Sequence, residues 1–117
     1  MAEGRLTTHV LDTMRGKPGA GIRIELFALD AAGTARRLAD VVTNSDGRTD
    51  APLLAGGALK AGRYELLFHI GAYFRGAGID SPFLDVVPVR FAIGDPAAHY
   101  HVPLLASPWS FTTYRGS

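Results

Sequence analysis

The chain has 117 residues, 47% hydrophobic and 20% charged, enough to bury one core and too few for a second domain, so residues 1–117 read as a single unit. With no cysteine, a disulfide framework, a thiol nucleophile and thiolate zinc sites are excluded, and the expected setting is cytoplasmic. Twelve Lys and Arg against eleven Asp and Glu leave a net charge of +1 with the basic residues scattered, which argues against nucleic acid as a partner, and the lack of an h-region or a long apolar run argues against a membrane.

Leu6-Thr-Thr-His-Val-Leu-Asp12 reads as a first strand, closed by the turn-rich Arg15-Gly-Lys-Pro-Gly-Ala-Gly21. Ile22, Ile24, Leu26 and Ala28 then alternate with Arg23, Glu25, Phe27 and Leu29 in a second strand, and Asp30-Ala-Ala-Gly33 turns into a third over about residues 35–43. Asn44-Ser-Asp-Gly47 is a sharp-turn signal and delivers Arg48 to a fixed position. Over residues 63–70, Tyr64, Leu66, Phe68 and Ile70 point inward, while Glu65, Leu67 and His69 point outward, His69 into solvent. A short helix fits within residues 71–78, and residues 83–93 form a strand whose Pro88 places it at an edge or a bulge.

Residues 99–117 read as a strand, a Ser107-Pro108 turn, a second strand and a polar tail. In the strand, Tyr100, Val102, Leu104 and Ala106 share a core face, and His99, His101, Pro103 and Leu105 share the other. That second face is too apolar at Leu105 for ordinary solvent, so a cover over it is expected. Seven to eight short strands with turns every 8 to 12 residues predict an all-β fold, an antiparallel β-sandwich with one short helix.

Familiar catalytic motifs are absent. No serine sits in Gly-x-Ser-x-Gly, no phosphate loop, dinucleotide fingerprint or His-Glu-x-x-His occurs, and a calcium loop around residues 44–47 fails at Val42 and Leu53. What remains is four histidines, Arg48 after its turn and a polar C-terminus. His9 is either a functional group or a surface imidazole. His99-x-His101 has a spacing that allows a metal but lacks an evident third ligand. Arg48 is a solvated residue or a cationic donor, and Tyr114-Arg-Gly-Ser117 would ordinarily fray.

Together these pieces resemble the 5-hydroxyisourate hydrolases, the transthyretin-like enzymes of uric acid degradation. The resemblance rests on Leu6-Thr-Thr-His-Val-Leu-Asp-Thr13, Gly16-Lys-Pro-Gly19, Thr43-Asn-Ser-Asp-Gly-Arg48, residues 83–91, His99-Tyr-His-Val-Pro-Leu-Leu105 and Tyr114-Arg-Gly-Ser117. Ala106, where a third leucine is common, and Trp109-Ser-Phe111 depart from the family pattern. The resemblance implies a transthyretin fold of two four-stranded sheets, a homotetramer with active sites in a channel between dimers, and catalytic roles for His9, Arg48, His101 and Ser117. His9, Arg48 and Tyr114 are expected to hold the substrate, with no metal and no other cofactor, and His99 to be peripheral. The residue types suit the chemistry: a neutral imidazole, His9 or His101, activates water, and the Arg48 fork steadies a developing oxyanion. A transthyretin-type carrier of the same fold is the rival expectation.

Overall fold

Side chains that alternate with a period of two give each strand one apolar face, and two sheets close those faces on one another. The computed structural model describes residues 3–116. Its strands are β1 (Arg5–Asp12), β2 (Lys17–Pro18), β3 (Arg23–Leu29), β4 (Ala35–Val42), β5 (Leu54–Ala55), β6 (Gly62–His69), β7 (Val86–Ile93), β8 (His99–Ala106) and β9 (Phe111–Thr113). Helix α1 (Ile70–Gly76) joins β6 to β7. One sheet runs β2-β1-β8-β9 with β5 also on β1, and the other runs β4-β3-β6-β7.

The core is a single cluster that includes Leu6, Val10, Ile24, Leu26, Leu66, Phe68, Val87 and Leu104, none more than 1% exposed. Burial of each such side chain contributes roughly 1.5–3 kcal/mol. Two inward positions of β1 are polar, and both are satisfied. Thr8 donates to the Val102 carbonyl at 2.7 Å. Asp12 accepts from the Arg15 backbone at 2.9 Å, from Arg15 Nε at 2.8 Å and from the Tyr73 hydroxyl at 2.8 Å, which ties α1 to the first strand. Those three donors hold the Asp12 carboxyl below its ordinary range against the opposing effect of burial.

Three expectations change. The sandwich is not antiparallel throughout: β1 and β8 run parallel, Leu6 beside Tyr100 and Asp12 beside Ala106, because the two strands enter the sheet from the same end. Nine strands form among the described residues, β2 and β5 being only two residues long, and they make sheets of five and four rather than four and four. His69 is not solvated. Its Nε2 donates to Glu25 Oε1 at 2.7 Å, since Glu25 and His69 project together from the outer face of β3 and β6. Pro88 does lie on an edge strand, β7, as its missing N–H requires.

Candidate active site

Parallel pairing of β1 with β8 creates the site. The register sets Thr7 beside His101, His9 beside Pro103 and Leu11 beside Leu105, so the outer face of this sheet carries Thr7, His9, His99 and His101 together. Thr7 Oγ1 lies 2.9 Å from His99 Nε2 and 2.8 Å from His101 Nδ1. A groove of about 350 Å³ opens here, lined by Arg5, Thr7, Arg48, Asp50, His99 and His101 among others.

Arg48 reaches the same place through the turn before it. Asn44 Oδ1 accepts from the Asp46 and Arg48 amides at 2.9 and 3.2 Å, and the Gly47 amide closes on the Asn44 carbonyl at 2.9 Å. Gly47 has φ +74 and its carbonyl accepts from the Val10 amide at 2.8 Å, so the turn docks onto β1 and bridges Arg48 to His9. A side chain at Gly47 would sit 2.5 Å from the Val10 carbonyl, which only glycine avoids. Among the described residues the Arg48 guanidinium has no hydrogen-bond or ion-pair partner.

The tail closes the other side. The Gly116 amide donates to the His101 carbonyl at 2.7 Å, and a Cβ on Gly116 would come within 2.6 Å of His101 Cδ2. Glycine is therefore what lets Tyr114-Arg-Gly lie against the imidazole. Arg115 stacks over the Tyr100 ring at 4.3 Å and donates to the His99 carbonyl at 3.3 Å, so residues 114–116 are anchored rather than frayed. Tyr114 is exposed and lines a separate cleft with Val89, Phe91 and Tyr100, while Ser117 lies outside the described residues.

His101 is half-buried, and its pKa is lowered from the ordinary imidazole value, first by burial and then by Arg48, His9 and His99. The neutral ring is therefore the form favoured at pH 7. His99 and His101 both turn a ring nitrogen to Thr7, and among the described residues no cluster of three His, Asp or Glu side chains forms around a common point. Thr7 is the residue of this site that sequence reasoning passed over. A larger hollow beside Arg15, Lys17 and Tyr73 holds no imidazole, and its Arg15 and Tyr73 are already engaged with Asp12.

A β-sandwich that presents histidines and, among the described residues, an unpartnered guanidinium on one outer sheet face carries a candidate site for a small polar molecule. Residues 6–116 match the HIUase/Transthyretin family, and the chain belongs to that family. It is 59% identical over 114 residues to a 5-hydroxyisourate hydrolase of Deinococcus radiodurans, covering 96% of this chain and 95% of that one. Among solved structures, an (S)-allantoin synthase superposes with a TM-score of 0.93 at 50% identity, covering 99% of this chain, which spans only 44% of that protein. Sea bream transthyretin, solved in complex with thyroxine, superposes with a TM-score of 0.87 at 30% identity, covering 96% of this chain and 94% of that one.

Proposed function

We propose that this protein hydrolyses 5-hydroxyisourate, opening its ring amide with water to give 2-oxo-4-hydroxy-4-carboxy-5-ureidoimidazoline. The observation that carries the reading is the meeting of His9, Arg48 and His101 on one sheet face, in a chain 59% identical to a hydrolase of that substrate. A neutral imidazole takes one proton from water while the water oxygen bonds to the amide carbon, whose carbonyl electrons move onto oxygen. The carbon–nitrogen bond then breaks and the imidazolium returns the proton to the leaving nitrogen. His101, held neutral by burial and by the nearby Arg48 charge, suits the first role, and His9 lies on the same face beside Pro103. Arg48 offers an open fork to the oxyanion. Ser117 is assigned as water holder and Tyr114, which in the single chain lines a cleft apart from this groove, as a substrate contact contributed in the assembled protein, and neither a metal nor another cofactor takes part.

We further infer a cytoplasmic homotetramer, in which other copies cover the Leu11 and Leu105 face together with Phe83, Trp109 and Phe111, at 68%, 61% and 42% exposure too apolar to stay wet in a single chain. Among the described residues no helix is long and apolar enough to cross a membrane. A carrier of apolar hormones, the reading that the sea bream likeness offers, fits less well, because Arg5, Arg48, Asp50 and two histidines line this groove.

The test is the ultraviolet decay of freshly made 5-hydroxyisourate with and without protein, in excess chelator. Accelerated decay unaffected by the chelator is the expected result. Decay at the rate of the protein-free control refutes the hydrolase reading, and activity that vanishes with chelator and returns with zinc gives His99-x-His101 to a metal.

A further inference from the structure

We infer that the Thr7 hydroxyl is a positioning group that fixes the ring tautomer of His101, with His99 as the acceptor that makes this possible. The inference rests on the hydrolase reading and deepens it. Thr7 Oγ1 stands within hydrogen-bond distance of two ring nitrogens at once, His99 Nε2 at 2.9 Å and His101 Nδ1 at 2.8 Å, and it has no other partner among the described residues. A hydroxyl carries one proton and two lone pairs. If it donates to one imidazole, the nitrogen of the other must bring its own proton to the hydroxyl lone pair. Two N–H groups facing it would leave the hydroxyl proton no ring nitrogen to bond, and two bare nitrogens would leave one of them without a donor. The two rings are therefore locked into opposite assignments.

The surroundings choose between the two arrangements. In the first, His101 Nδ1–H donates to Thr7, the Thr7 hydroxyl donates to His99 Nε2, and His99 keeps its proton on Nδ1, where it is exposed and water accepts it at no cost. His101 then carries a bare Nε2 at the far end of its ring, toward a groove that also holds Arg48. In the second, His101 would present an N–H to that cationic surrounding and offer no lone pair to a water molecule. Cations beside a ring nitrogen favour the lone pair over the N–H, so the first arrangement is the one assigned. Thr7 at Nδ1 and Gly116 close to Cδ2 hold the ring in the orientation that keeps Nδ1 on the hydroxyl.

The consequence for chemistry is that Nε2 accepts the water proton without any rotation. Nδ1 already holds its own proton, and the imidazolium formed donates a charge-assisted hydrogen bond to Thr7. One proton moves from water to Nε2, the water oxygen keeps the electron pair with which it bonds to the amide carbon, and nothing is gained or lost at Thr7 or His99. A wrong tautomer at a histidine base is costly in other hydrolases even where geometry is intact.

The experiment uses full-length protein labelled with 15N at histidine, with Thr7→Val to remove the hydroxyl at nearly constant shape and Thr7→Ser to keep it. Long-range proton–nitrogen spectra of the wild type are expected to show His101 protonated at Nδ1 and bare at Nε2. Thr7→Val, still folded by its melt, is expected to populate the Nε2–H form and to lose on the order of 10- to 100-fold in kcat with little change in KM, and Thr7→Ser to recover both the spectrum and most of kcat. A merely structural role would leave the His101 nitrogen shifts untouched. A wild-type spectrum with His101 protonated at Nε2 overturns the inference, as does a Thr7→Val protein with wild-type shifts and wild-type kcat, and neither result touches the hydrolase reading. A wild-type protein inactive toward 5-hydroxyisourate overturns that reading and this role with it.

Discussion

Two histidines sit on outer sheet faces of the same sandwich and meet opposite surroundings. His69, on β6, gives its Nε2–H to Glu25, which also accepts from Arg37 at 3.2 Å and lies 3.6 Å from Arg23, itself bound to Asp40 at 2.9 Å. Every charge there has a partner. Glu25 is held below the ordinary carboxylate range, first by the His69 hydrogen bond and then, against its burial, by Arg37 and Arg23. His101, on β8, has a hydroxyl for a neighbour and is influenced by Arg48, His9 and His99, while Asp50 across the groove is engaged by Asn44 at 3.0 Å. A network that consumes its charges belongs to stability, and a set of polar groups left open toward a groove is available for a ligand.

Removing the open groups should have the largest effect. Arg48→Ala and His101→Ala are each expected to lower kcat/KM on the order of 100- to 1,000-fold with the melting temperature nearly unchanged, as read by substrate decay and calorimetry. Deletion of residues 114–117 should cost on the order of 100-fold. It removes the Gly116 bond to His101 and the Arg115 stack on Tyr100, so a drop of a few degrees in melting temperature is expected beside the loss of activity. If all three variants keep wild-type rates, the contrast between the two faces carries no mechanism.

The pH dependence sharpens the same contrast. Because His101 titrates below the ordinary imidazole value of about 6.5, the acid limb of kcat/KM should fall below that pH. Its stability contribution is fully present above about 6.5 and is lost as pH falls from there through the lowered folded value, since the unfolded chain then binds the proton more tightly. Arg48→Met removes the largest of the three charge effects on His101, so the ring should titrate at higher pH in that variant by proton NMR. A titration that stays put or moves down contradicts the assignment.

Strands β1, β3, β6 and β8 were legible to within a residue or two from alternation along the strand, and β4 from the Asp30-Ala-Ala-Gly33 turn that precedes it. β2 and β5 were not, since two residues show no period. The parallel run of β1 beside β8 depends on how strands more than ninety residues apart enter one sheet, which local pattern does not encode. For the candidate site, the Asn44 turn announced a fixed Arg48, and family resemblance supplied His9 and His101. Thr7 was missed because threonine is an ordinary strand former; its signal, two positions before His9 on the same face, becomes readable only with the β1–β8 register. His69 was misread for the same reason, its partner Glu25 being on another strand.

The smallest expected effect tests the closed network. His69→Ala leaves the β1–β8 face intact, so hydrolysis should proceed at the wild-type rate. It removes one hydrogen bond from a largely buried carboxylate, but Arg37 and Arg23 remain to hold that charge, so the cost should sit near the low end for such a loss, about 1 kcal/mol. For a chain of 117 residues that is a few degrees in melting temperature. Because Glu25 is held below its ordinary value, its stabilisation is present above the unfolded carboxylate range near pH 4.3 and is lost as pH falls through the lowered folded value. The stability gap between wild type and His69→Ala should therefore be full at neutral pH and close in acid. A variant that loses activity at unchanged stability would place His69 in the catalytic apparatus and erase the distinction between the two faces.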